Sequence, residues 1–91
     1  MKYKIISSKR FTKSLKRLMR SGSFDLKDLN NIVDMISNSN ELPMKIEDHP
    51  LVGNWEGFRE CHIKFDLLLI YQFYQDELRL VEIGSHSELF G

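Results

Sequence analysis

GFRECHIKFDLLLIYQFYQDELRLVEI, residues 57–83, decides the fold. Its middle, LLLIYQFY at 67–74, is almost wholly apolar and aromatic, the pattern of a strand covered on both faces. Gln75, Asp76 and Glu77 interrupt it as a hairpin turn, and LRLVEI returns as a second strand. GFRECHIK, 57–64, reads as a third, joined by a short turn around Phe65 and Asp66. Alternation along it puts Arg59, Cys61 and Ile63 on one face and Phe58, Glu60 and His62 on the other. These strands predict a mainly antiparallel sheet.

Upstream, Pro43, Pro50 and Gly53 oppose regular structure, so 41–56 is expected to be irregular. Before that the period is helical. From Lys9 to Arg20, Phe11, Leu15 and Leu18 form one apolar stripe, with Lys9, Lys13, Lys16, Arg17 and Arg20 on the far side. Ser7 or Ser8 can cap this helix, and SerGlySer at 21–23 breaks it. A second helix is predicted from Phe24 or Asp25, with Leu26, Leu29, Val33 and Ile36 on one face and Asn38, Ser39 and Asn40 as its stop. Asp25 and Asp28 suit its N-terminal dipole. KYKII, 2–6, alternates as a first strand. The order β-α-α-β-β-β predicts a single α+β domain over residues 1–91, two helices on one face of the sheet and the other face free for a site.

Composition narrows the class. The chain is 42 % hydrophobic and 11 % aromatic, which suits a globule rather than a disordered chain. No apolar run approaches the ~20 residues of a membrane span. MKYKIISSKRF lacks the apolar core of a secretory signal, and Cys61 stands alone, so a reducing cytoplasm is the expected home. Net charge is zero, yet residues 1–20 carry eight basic and no acidic residues. That basic face suits a nucleic-acid backbone, or is an ordinary solvated surface.

His49, His62 and His86 each sit at an element boundary, where scaffolds display functional groups. Scattered surface histidines are one reading. A zinc site completed by Asp66 or Cys61 is another, but no pair has the close spacing of common zinc motifs. A nucleophilic Cys61 is weaker, since beside Ile63 it reads as a small buried hydrophobe. The remaining reading is metal-free acid–base cleavage of RNA. An imidazole titrates near ~6.5, so one can take the ribose 2′-OH proton while another protonates the leaving 5′-oxygen. Arg59 is a candidate cation for the phosphate. Phe90 can stack on a base, or plug the core.

DHPLVGNWEGFRECHIKFDLLLIY with LVEIGSHSELF resembles the YafQ branch of the RelE/ParE toxin superfamily, whose usual pattern is DHxLxGxWxxFRECHIxPDxLLxY followed by LxxxGSHSELF. The match covers residues 48–90 closely. The resemblance implies the RelE-like βααβββ fold and a toxin of a type II toxin–antitoxin system. It implies metal-independent cleavage of mRNA on the translating ribosome, with no cofactor. It also implies a cognate antitoxin whose complex binds operator DNA. His49, His62, Asp66, His86 and Phe90 fall at the family's functional positions, with His49 and His86 as the base and acid pair. Lys9, Lys13 and Arg17 of the basic face, with Arg59, are the expected RNA-backbone contacts. Phe65 stands where the family usually has proline, which leaves the placement of Asp66 open. ParE-type relatives, which act by docking to a protein, supply the alternative. Finally, Leu89 or Phe90 is expected to pin the tail so that His86 is held in the cleft.

Overall fold

The computed structural model describes residues 3–38 and 46–91. The predicted strand start at Lys2, the helix stop at Ser39 and Asn40 and the break at Pro43 lie outside the described residues. The elements run β1 (Lys4–Ser7), α1 (Lys9–Arg20), α2 (Leu26–Asn38), β2 (His49–Pro50), β3 (Arg59–Lys64), β4 (Leu67–Tyr74), β5 (Glu77–Gly84) and α3 (His86–Phe90). One five-stranded sheet has the order β1-β5-β4-β3-β2. Among the described residues, only β1 and β5 pair in parallel. The fold is the expected α+β arrangement with two added elements, β2 and α3.

Local chemistry sets the boundaries. Ser8 caps α1, its Oγ accepting from the Phe11 N–H at 3.0 Å while donating to the Val81 carbonyl at 2.7 Å. The Asp25 carboxylate accepts from the Lys27 N–H at 2.9 Å as α2 begins. Leu26 is exposed rather than buried, and Ile32 takes its place in the core, so the buried stripe of α2 starts a turn late. β2 joins the edge of the sheet, where Pro50 needs no ladder donor.

Phe11, Leu29, Ile32 and Ile36 pack on Cys61, Leu69, Tyr71 and Leu80 of the sheet. A register shift between Ile70 and Tyr71 leaves Val81 as an extra residue: Tyr71 pairs Leu80, but Ile70 pairs Glu82. The bulge therefore sends both Leu80 and Ile83 into the core and turns Glu82 to the seam with α1. There the buried carboxylate accepts from Ser14 Oγ at 2.7 Å, Arg10 Nε at 3.2 Å and the Ile83 N–H at 3.0 Å.

The second sheet face is not simply open. Leu68 and Ile70 are fully buried, while Phe73 and Tyr74 at the hairpin end are exposed, so β4 is covered on both faces for only its first two-thirds. α3 folds back on β5, and its position explains Gly84: a Cβ there would lie 2.9 Å from Glu88 Oε1 and 3.4 Å from Leu89 Cδ2. No helix among the described residues is long and apolar enough to cross a membrane.

Candidate active site

Cross-strand register assembles the site. Residues at i and i+2 of β3 share a face, so Glu60 and His62 project together. His49 of β2 pairs directly with Glu60, and its Nε2 lies 3.6 Å from Glu60 Oε2. His62 pairs Leu68, and the register then shifts before Lys64, a bulge that bends the strand into the Phe65–Asp66 turn. That turn delivers Asp66 to α3. Asp66 Oδ1 lies 3.0 Å from His86 Nδ1 and accepts the His86 backbone N–H at 3.2 Å. The rings of His62 and His86 stand 5.8 Å apart in an edge contact.

α3 is one short helix, yet it is well anchored. Ser85 Oγ accepts from the Glu88 N–H, and Glu88 Oε1 accepts from the Ser85 N–H at 2.8 Å, a complete capping box. Phe90 meets Trp55 edge-on at 6.1 Å and lies 6.4 Å from the His86 ring. Leu89 is half-buried, and Phe90 keeps 42 % of its surface exposed. The tail is thus a capped helix rather than a loose end.

One regularity runs through the three histidines. His49 Nδ1 lies 3.1 Å from its neighbour's Pro50 carbonyl, His62 Nδ1 lies 3.2 Å from Glu47 Oε2, and His86 Nδ1 faces Asp66. An acceptor at Nδ1 favours the tautomer protonated there and leaves Nε2 as the atom that can exchange a proton with a ligand, an atom that in His49 already faces Glu60 Oε2 at 3.6 Å. The Asp66 carboxyl is held below its ordinary range, chiefly by the hydrogen bond from the His86 ring and then by the backbone N–H.

Glu60 was not singled out in the sequence, although strand alternation had already set it beside His62. Only 5 % exposed, it lies between His49 and the other two rings. Glu47, in the loop before β2 with φ of 49°, carried no sequence signal. Nor did Arg10, which reaches from Glu82 over the Trp55 ring at 6.0 Å.

The expected cations divide. Arg17 approaches α3, its guanidinium 3.9 Å from Glu88. Lys9 and Lys13 line a separate surface hollow with Ser7 and Thr12 along α1. Arg59 is placed on the opposite face of β3 from His62. It grips Asp48 with two hydrogen bonds, Nη2 to Oδ2 at 2.8 Å and Nε to Oδ1 at 3.3 Å, and the Tyr71 hydroxyl donates to the same carboxylate. That pairing raises the Arg59 pKa, and burial with the Asp48 bond raises that of Tyr71. Arg59 is thus held in an ion pair with Asp48 on that face. Cys61 is buried on that same face, its thiol pushed up to about 12 mainly by burial, so no thiolate nucleophile is available.

A metal would find two of the expected histidines, with Glu60 as the donor the sequence did not mark. Cys61 faces the core, but Glu60, His62 and His86 each offer a ligand atom within 4.8 Å of the others. Three such donors suit a transition-metal ion.

The family described as a bacterial toxin of type II toxin–antitoxin system, YafQ, matches residues 3–91. The mRNA interferase toxin YafQ of Escherichia coli is 42 % identical over 57 residues, 63 % of this chain, and the chain spans 62 % of that relative's length. A copper-bound mutant toxin from Helicobacter pylori superposes with a TM-score of 0.90 at 41 % identity, over 97 % of this chain and 99 % of that one. YafQ in the E. coli DinJ–YafQ complex gives 0.85 at 34 % identity, over 98 % and 99 %.

Proposed function

The chain belongs to the YafQ family of bacterial toxins of type II toxin–antitoxin systems, and from that premise we propose that it is an endoribonuclease that cleaves mRNA by acid–base catalysis without a metal. The observation that carries the reading is the set of imidazoles around Glu60, each with Nδ1 engaged by an oxygen. One imidazole Nε2 takes the proton of the ribose 2′-OH, whose oxygen attacks the adjacent phosphorus. The bond to the 5′-oxygen breaks, a second imidazole protonates that oxygen, and a 2′,3′-cyclic phosphate remains.

His49 and His86 form the working pair. Asp66 holds the His86 ring in one orientation through Nδ1, as an aspartate does in a hydrolase triad. Glu60 lies on the other side of the chemistry, its carboxylate 3.6 Å from His49 Nε2. His62 positions the ribose phosphate between them. Arg17 and Arg10, on the side of α1 that approaches α3 and Trp55, supply positive charge for the RNA backbone. Phe90, half exposed beside His86, takes a base.

Substrate mRNA is met on the translating ribosome, in the cytoplasm. By likeness to the DinJ–YafQ complex, a cognate antitoxin is the partner that silences the toxin and carries it to operator DNA. By likeness to the copper-bound toxin, this chain can take a transition metal on Glu60, His62 and His86. Such an ion would occupy the lone pairs that acid–base chemistry requires, so it competes with catalysis rather than supplying it.

The decisive substrate carries a single 2′-deoxy sugar at the cleavage point. Cleavage of the all-ribose strand is expected to survive EDTA and to vanish on the deoxy strand, because the attacking oxygen is gone. Activity lost to EDTA and restored by one metal, or retained on the deoxy strand, defeats the mechanism.

A further inference from the structure

Phe65, in the turn between β3 and β4, is 98 % exposed. Among the described residues it has no ring partner, whereas Phe90 rests on Trp55. Fully hydrated phenylalanine gains nothing for the fold, and proline would fix this turn with less unfolded-state freedom. Its surroundings suggest another use. Phe65 borders a hollow of about 630 Å³ between α2 and β3, within the size range of small-ligand sites of ~300–1,000 Å³. Ile32, Met35 and Ile63 give the hollow an apolar wall, and Asn31 offers an amide with donors and an acceptor. Lys64, paired with Asp28 at 3.0 Å, sits at its edge.

The hollow meets the candidate site at His62. His62 lines it, and the residue after Phe65 is Asp66, the partner of His86. A strand whose scissile phosphate lies among the imidazoles therefore carries its neighbouring nucleotide past Phe65. We propose that Phe65 is the stacking platform of a subsite for the base next to the cleaved linkage, with Asn31 reading the edge of that base. The exposed aromatic face supplies affinity for any base, and the amide adds preference. A protein surface would use the same phenylalanine, but it would not need it one residue from Asp66 and beside a His62-lined hollow.

This inference rests on the ribonuclease reading, and its test separates the two. Wild type, Phe65→Ala and Phe65→Trp are compared on an oligoribonucleotide with all bases present and on strands with one abasic ribose beside the cleavage point. Stacking on an aromatic is worth about 5- to 150-fold by alanine substitution. Phe65→Ala is expected to raise KM about 10-fold with kcat nearly unchanged, and Phe65→Trp to restore it. The abasic ribose should cost wild type a similar factor and Phe65→Ala nothing further. A KM unchanged in Phe65→Ala, or an abasic penalty equal in both proteins, overturns the subsite while the nuclease reading stands. Weaker capture by the antitoxin with RNA kinetics unchanged assigns Phe65 to protein contact and overturns it equally. If wild type cleaves no RNA, fluorescence anisotropy with the deoxy strand still decides: binding that depends on Phe65 supports the platform, and binding indifferent to it removes the platform.

Discussion

The two faces of β3 carry similar chemistry to opposite ends. On the helix side, Arg59 is gripped twice by Asp48, Tyr71 completes that carboxylate, and Cys61 is buried with its thiol pushed up to about 12. On the other side, Glu60 and His62 join His49 and His86; each imidazole has an oxygen at Nδ1, and His49 also faces Glu60 through Nε2 at 3.6 Å. Residue type does not separate the two. What separates them is hydrogen-bonding capacity left over: on the first face it is consumed within the fold, and on the second His62 and His86 each keep Nε2 for a ligand while His49 Nε2 stands 3.6 Å from Glu60. A charged residue near an active site is therefore no evidence of a role there until its partners are counted.

The contrast breaks most sharply with a pair of variants. His86→Ala is expected to lower RNA cleavage by roughly 10²- to 10⁴-fold, the worth of one positioned proton transfer, with thermal stability near wild type. Leu69→Ala, on the covered face and fully buried, should cost about 2–5 kcal/mol in urea unfolding while each folded molecule cleaves normally. If His86→Ala unfolds the domain, or Leu69→Ala loses turnover without losing stability, the division of labour fails.

A smaller effect comes from Asp66→Asn. Both Asp66 and His86 are more than half exposed, at 52 % and 58 %. The loss of cleavage should therefore be about 10-fold, well short of the roughly 10⁴ seen for a buried triad aspartate. The sign of its pH dependence follows from the depressed carboxyl. Its contribution to docking α3 is complete above the ordinary value of 3.8 and fades only as pH falls through the lower folded value. Any acid limb of the pH–rate profile between pH 5 and 7 must then come from other groups. A limb that disappears in Asp66→Asn contradicts this.

The smallest effect is expected from Arg59→Lys. It breaks the two-pronged grip on Asp48, for about 1–2 kcal/mol of stability, and leaves KM for RNA unchanged. A raised KM would return Arg59 to the substrate surface.

Much of the frame was legible because it obeys local rules. The bounds of α1, its Ser8 cap, the span of β4 and the polar hairpin turn all follow from short-range pattern. The alternation of β3 also placed Arg59 across from His62. β2 was not legible, since two residues ending in proline make no period, and it exists only because β3 offers an edge. The extra Val81 was equally hidden: a bulge is a property of the pair of strands, so strict alternation misassigns Glu82 and Ile83. Convergence of the histidines came from motif resemblance. Their separate Nδ1 acceptors, one of them a loop carbonyl, leave no trace in spacing.

The narrow rims of the sheet carry a colloidal consequence. One rim is β2, two residues long with a proline that has no amide to offer, and the other is β1, four residues long and headed by Lys4. An aromatic-rich sheet with long bare margins would recruit its own copies into fibrils. Here β1 and β2 give an incoming strand only short margins to template on, which works against aggregation seeded around the exposed Phe65 and Phe90.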